Sequence, residues 1–170
     1  RMYYSPMVKL ELIEKNPYTQ NASKALLSNF EILNYGKKAR GGILDIVFRY
    51  FFRCDVFYFN WVENYTRLQT VLVLFFIPLS KLFSKKIIWT HHNVHPHKGY
   101  SKRSAFLIKL FHKYSDFTII HTNESVNILN SNSTSKILSF FHPFFTNKVN
   151  QPHNNKKEYD LLLWGNFRAS

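Results

Sequence analysis

Four imidazoles crowd into one short segment, Thr90-His91-His92-Asn93-Val94-His95-Pro96-His97. Imidazole titrates near neutrality, so a histidine at the mouth of a cleft can move a proton, hydrogen-bond a sugar hydroxyl or steady charge on phosphate. His92 has two readings: a group reaching substrate, or a ring that satisfies loop backbone. Its neighbour His91 leaves an extended backbone on the other side and reads as a passive loop residue. The segment offers no Cys, Asp or Glu, and Pro96 constrains it, so no metal site is implied. Earlier in the chain, Asn60-Trp61-Val62-Glu63-Asn64-Tyr65 brings an amide, an indole, a carboxylate and a phenol into a second short turn. Glu63 can act as a base toward an acceptor hydroxyl, or simply sit solvated or paired with Arg67 four residues on. Trp61 and Tyr65 can stack on a sugar face or cap the core.

Both turns follow short apolar runs, and the elements around them repeat. Met2–Ser5 reads as a first strand. Asn16-Pro17-Tyr18 enters a helix through Ala25, Leu26 and Leu27, with proline at an early helical position. Phe30–Leu33 is a second strand candidate, and Gly41-Gly42 precedes a helix from Ile43 to about Arg53, with Asp45 and Arg49 in the favourable i,i+4 order. Val56–Phe59, Ile87–Thr90, Phe117–His121 and Ile137–Phe140 are further strands, the first three separated by stretches long enough for crossover helices. Near-continuous apolar strands alternating with helices predict an α/β fold, a Rossmann-like parallel sheet with helices on both faces. Right-handed crossovers then bring the polar strand ends to one side of the sheet, where ligands bind in such folds.

With 170 residues and 45% hydrophobic composition, the chain can bury a substantial core. Its longest apolar run, Val71–Leu79, is short of the roughly 20 residues a bilayer span requires. One cysteine, Cys54, forms no internal disulfide and fits a reducing compartment. The net charge of +13 points to anionic partners, although A/T-rich codon usage would also enrich lysine. Ser101–Tyr114 reads as an amphipathic helix: Lys102, Lys109 and Lys113 fall on one line, opposite Leu107, Leu110, Phe111 and Tyr114. The lysines form either a solvated stripe or, with Lys98 and Arg103, a basic surface for an acidic membrane. Residues 147–158 read as a linker and 159–170 as the first strand of a further domain.

Several of these segments, in order, resemble the N-terminal domain of GT-B-type, family-4-like glycosyltransferases. They are Asn16-Pro17-Tyr18, the Asp55-Val56 strand running to Trp61, the Thr90-to-His97 loop, and Leu161-Leu162-Leu163-Trp164-Gly165-Asn166-Phe167-Arg168. The resemblance implies residues 1–146 as an acceptor-binding Rossmann-like domain, with 159–170 opening a nucleotide-sugar-binding domain. It implies transfer of a sugar from a nucleotide-sugar to a glycan or lipid-linked glycan in bacterial surface polysaccharide synthesis, with no cofactor, at the cytoplasmic face of the plasma membrane. His92 and Glu63 are then the candidate catalytic residues, and Asn16, Tyr18, Trp61, Asn93, His97 and Thr122 the substrate-binding ones. Where many relatives carry a Gly-Gly pair near the donor diphosphate, Lys9–Asn16 has no glycine, which speaks against such a contact from this half. The rival reading is a non-enzymatic, basic nucleic-acid-binding module. Against it, the aromatics lie in apolar strands and helices and are not interleaved with the basic residues as a stacking platform. A hydrolase reading lacks the Gly-x-Ser-x-Gly elbow.

Overall fold

A computed structural model of the chain describes residues 1–5, 17–37, 43–92, 101–121 and 135–140, with the backbone alone for 17–19. Five parallel strands, β1 (Met2–Ser5), β2 (Val56–Asn60), β3 (Lys86–His91), β4 (Phe117–Ile120) and β5 (Lys136–Ser139), pair side by side in that order. The expected α/β, Rossmann-like sheet is therefore present. Its strand limits fall within one residue of those read from the apolar runs, because strands buried on both faces need continuous hydrophobicity. One consequence reverses an expectation: His91 is the last residue of β3, buried beside Trp89 with ring centroids 5.0 Å apart. It belongs to the core and not to a loop.

Side chains alternate across the sheet. Tyr3, Phe57, Phe59, Ile87, Trp89 and Ile120 point to one face, and Met2, Tyr4 and Tyr58 to the other. The first face is covered by α2 (Ile43–Asp45) with its π-helical continuation (Ile46–Tyr50), by α3 (Arg67–Leu82) and by α4 (Lys102–Tyr114), through Ile46, Phe76, Leu107 and Phe111 among others. Each such side chain contributes about 1.5–3 kcal/mol when fully buried. The second face meets Leu26 of α1 (Pro17–Leu27), with Phe30 and Ile32. Helix α3 starts at a reciprocal cap. Thr66 Oγ1 accepts from the Gln69 N–H at 3.3 Å, and Gln69 Oε1 accepts from the Thr66 N–H at 2.8 Å.

Two expected elements differ. The strand at Phe30–Leu33 shrinks to a single parallel bridge between Ile32 and Met2. The reason is Asn34, whose side-chain amide accepts from the Tyr4 N–H at 3.0 Å and donates to the Tyr4 carbonyl at 2.8 Å. It occupies the backbone groups that a longer strand would have used. The helix expected from Ile43 to Arg53 is instead a single α-turn that widens into a π-turn ending at Tyr50, with the Phe51 N–H donating to the Ile46 carbonyl. Tyr50 and Phe51 both turn inward with Ile43 and Ile46, a spacing that a regular helix also provides, so the wider turn changes the hydrogen bonding and not the choice of buried face. The expected Asp45–Arg49 pair is present at 3.6 Å. Among the described residues, no helix is long and apolar enough to cross a membrane. The linker expected at 147–158 and the strand expected within 159–170 lie outside the described residues.

Candidate functional site at the carboxyl edge of the sheet

From β1 the chain passes through α1 to the Ile32 bridge on one side of β1, then returns to β2 on the other side. Right-handed crossovers in opposite directions put α1 on one face and α3 and α4 on the other. The strand order reverses between β1 and β2, and ligands of open α/β sheets bind outside the carboxyl ends of the strands at such a reversal. Here those ends are Ser5 and Asn60.

Polar groups form a row along this edge. Asn60, fully buried, donates from Nδ2 to the Ser5 carbonyl at 3.1 Å, and its Oδ1 lies 3.0 Å from His92 Nε2. A carbonyl can only accept, so the Asn60 amide must turn its NH₂ to Ser5 and its oxygen to His92. That oxygen in turn requires a proton on His92 Nε2, which makes Nδ1 the basic atom of the neutral ring. Beyond His92 lies His121, with ring centroids 5.4 Å apart. The His121 Nδ1 donates to the Phe140 carbonyl at 3.0 Å by the same logic. The row thus runs from β1 to just past β5. Beneath it, the Tyr58 hydroxyl meets Thr90 Oγ1 at 2.7 Å. Burial raises the Tyr58 phenol above its ordinary range, with the Thr90 bond opposing.

Trp61 follows Asn60 in the left-handed region, at φ 49° and ψ 39°. A bulky residue rarely adopts that conformation, and such strain gathers at functional positions. Its indole stacks on the His92 ring, with centroids 4.6 Å apart and planes 11° from parallel. One face that was expected to meet a sugar is therefore against His92. Glu63 lies in the following 3-10 turn (Val62–Asn64), whose Glu63 carbonyl accepts from the Ser104 hydroxyl at 3.0 Å. That bond ties the turn to the first turn of α4. Tyr65 closes the site below: burial pushes its phenol up to about 12, against a hydrogen bond to the Ser5 side chain, with Glu63 adding to the rise.

The structure therefore brings His92 and Trp61 into contact, with Glu63 in the same turn as Trp61. Tyr18 lies in α1, while Asn16, Asn93, His97, Thr122 and Lys98 lie outside the described residues. Lys102, Arg103, Lys109 and Lys113 are exposed on α4, as its periodicity requires. Asn60 and His121 were legible only as polar strand ends, and their parts in the row were not. The signal was available: each ends an apolar run or directly follows one. Among the described residues, no group of three or more His, Cys, Asp or Glu side chains could hold a metal ion. No family model matches the chain, and no curated protein or solved structure is significantly similar to it.

Proposed function

We propose that this chain is the acceptor-side half of a GT-B-type glycosyltransferase, moving a sugar from a nucleotide-sugar to a glycan or lipid-linked glycan in bacterial surface polysaccharide synthesis. The supporting observation is the Ser5–Asn60–His92 row at the reversal of strand order. In this role the acceptor hydroxyl attacks the anomeric carbon, the nucleoside diphosphate leaves, and His92 Nδ1 accepts the hydroxyl proton. Asn60 holds the tautomer that makes this possible, and Glu63 is the second candidate base. Asn16, Tyr18, Trp61, Asn93, His97 and Thr122 are assigned to the substrate, and Lys98, Lys102 and Arg103 draw a pyrophosphate-linked acceptor toward the edge. The donor belongs to a second domain that 159–170 would open. The enzyme works peripherally, at the cytoplasmic face of the membrane.

Two titrations of the chain test this. A soluble pyrophosphate-linked oligosaccharide should shift the imidazole resonances of His92 and His121, and His92→Ala should weaken its binding. Calorimetry with UDP- and GDP-sugars should show no micromolar affinity, because the donor half is elsewhere. Imidazole shifts with an oligonucleotide and none with the oligosaccharide would transfer the site to nucleic acid. Tight sugar-nucleotide binding would move the donor site into this domain.

A further inference from the structure

The helical layer over the first face carries a second surface, on the side turned away from the sheet. Helix α3 buries Val73, Phe76, Ile77 and Ser80. At 100° per residue its opposite side holds Leu68, Val71, Phe75, Pro78 and Leu82, so the helix is apolar toward solvent as well as toward the core. Leu82 is 78% exposed and Phe75 70%. The π-turn beside it and the turn that follows add Phe48 at 80% and Phe52 at 76%. Phe52 reaches the end of α3, edge-on to Phe83 with centroids 5.6 Å apart. Between α3 and α4 runs an open, apolar groove of about 420 Å³, lined by Leu74, Ile77, Pro78, Lys81, Leu110 and Tyr114. A soluble monomer seldom leaves so many large apolar side chains in one stretch of surface, and such patches mark interaction sites.

Charge selects the partner. Across residues 43–53, 67–82 and 102–114, the three helical segments carry Arg53, Arg67, Lys102, Arg103, Lys109 and Lys113, besides Arg49 and Lys81, which pair with Asp45 and Asp116. Their one carboxylate is Asp45, which is buried. A layer that is apolar and cationic, with its acid turned inward, suits an anionic lipid surface: the side chains enter the acyl boundary while the cations meet headgroups. A second copy would bring two strongly positive layers together. Nucleic acid would meet the cations but offers no apolar sink for Leu68, Val71 and Leu82.

We infer that the outer face of α3 and the π-turn docks on an anionic bilayer, with Phe48, Phe52, Phe75 and Leu82 inserted and the lysines of α4 as the electrostatic flank. The inference deepens the peripheral attachment in the reading above. It also moves the anchor from the α4 lysine stripe to α3. Because α3 runs from the carboxyl edge to the amino edge, this docking lays the sheet roughly parallel to the membrane, with the His92 row at the side of the contact.

The test uses the chain and vesicles without sugar nucleotide, so failure here leaves the transfer reaction untouched. Wild type should co-sediment with phosphatidylcholine vesicles containing phosphatidylglycerol, and not with phosphatidylcholine alone. The Phe48→Ser, Phe52→Ser, Phe75→Ser triple variant should lose at least tenfold in partitioning. Lys109→Ala with Lys113→Ala should lose about fivefold per lysine, and raised salt should have the same effect. The fluorescence of a Phe75→Trp variant, which leaves the surface apolar, should be quenched by brominated lipid if this face enters the bilayer. No quenching in vesicle-bound Phe75→Trp protein, relative to the wild-type background, overturns the proposal. So does a triple variant that binds as wild type, or equal binding to neutral vesicles. A wild-type dimer that the triple variant dissociates without change in lipid binding overturns it too.

Discussion

The two edges of the sheet are built from different chemistry. At the amino edge, Asp116 accepts from Lys81 at 2.8 Å, from Lys86 at 3.2 Å and from the Ile87 N–H at 2.8 Å, and Asp55 lies 3.8 Å from Lys85. Opposite charges close on each other there, and the hub ties α3, β3 and β4 together. Along the carboxyl-edge row the side chains are an amide and two imidazoles, joined by hydrogen bonds and ring contacts. A closed ion cluster holds elements in place and has little left to offer a ligand. Groups whose proton positions are dictated by their neighbours can still exchange protons with one. The separation teaches that closed ion pairs and proton-exchanging side chains gather at opposite ends of the same strands. His91 and His92, adjacent at the carboxyl end, part across the sheet, one into the core and the other to the rim.

Replacing His91 should have the largest effect, and on stability alone. Its ring fills core space beside Trp89, so His91→Ala should cost about 3 kcal/mol by leaving a cavity, with a melting temperature lowered by several degrees. Activity per folded molecule should stay near wild type. Loss of turnover at full folding would place His91 in the chemistry and blur the division.

Asp116→Ala comes next, at about 2 kcal/mol, because it removes charge-assisted bonds and strands the Ile87 N–H. Burial by itself would raise the Asp116 carboxyl, but the bonds to Lys81, Ile87 and Lys86 prevail and hold it below the usual carboxylate range. A lowered folded pKa means the stabilisation is complete above the unfolded value, about 3.9, and is lost as pH falls through the folded value. Melting curves of wild type and variant should therefore converge in acid. If the gap stays constant far into acid, the ion cluster is not its source.

His92→Ala should do the reverse: under the proposed transfer reaction, turnover of the protein with its donor domain should fall at least about tenfold, roughly 1.4 kcal/mol of transition-state stabilisation. The melting temperature should barely move, since His92 is only half-buried at the rim. An alanine variant that loses activity only in proportion to unfolded protein makes the row structural.

The most conservative change in shape, and the most diagnostic, is Asn60→Asp. A carboxylate still accepts the His92 Nε2 proton, yet it can no longer donate to Ser5, and its charge favours imidazolium. Nitrogen-15 spectra should show the Nε2–H tautomer in wild type, and the variant should hold the imidazolium form to higher pH. A wild-type Nδ1–H tautomer would break the argument from the Ser5 carbonyl.

Much of this was legible in the residues. The β2, β3 and β4 strands announced themselves as continuous apolar runs because burial on both faces leaves no room for alternation, and their polar ends marked the edge where a site belongs. The α4 stripe followed from its 3.6-residue period. The Thr66–Gln69 cap matches a local signature, a threonine with a glutamine three residues on before an apolar run. Other features required the chain to come together. The Asn34 side chain ends a strand by bonding Tyr4, thirty positions away in sequence, and no local pattern encodes that. The π-turn at Ile46–Tyr50 seats Tyr50 against Tyr3 of β1 and leads into Phe51 against Phe57 of β2, and no local pattern marks the widening itself. The apolar runs that marked a core helix in α3 also supplied its outward face, because composition counts hydrophobic residues without telling which side the sheet will cover. His91 and His92 are identical in type and adjacent in sequence. What made one a core ring and the other a rim group was the end of β3 and the amide of Asn60, a partner thirty-two residues away. Periodicity sees neighbours along the chain, while the proton on His92 is set by neighbours across the sheet.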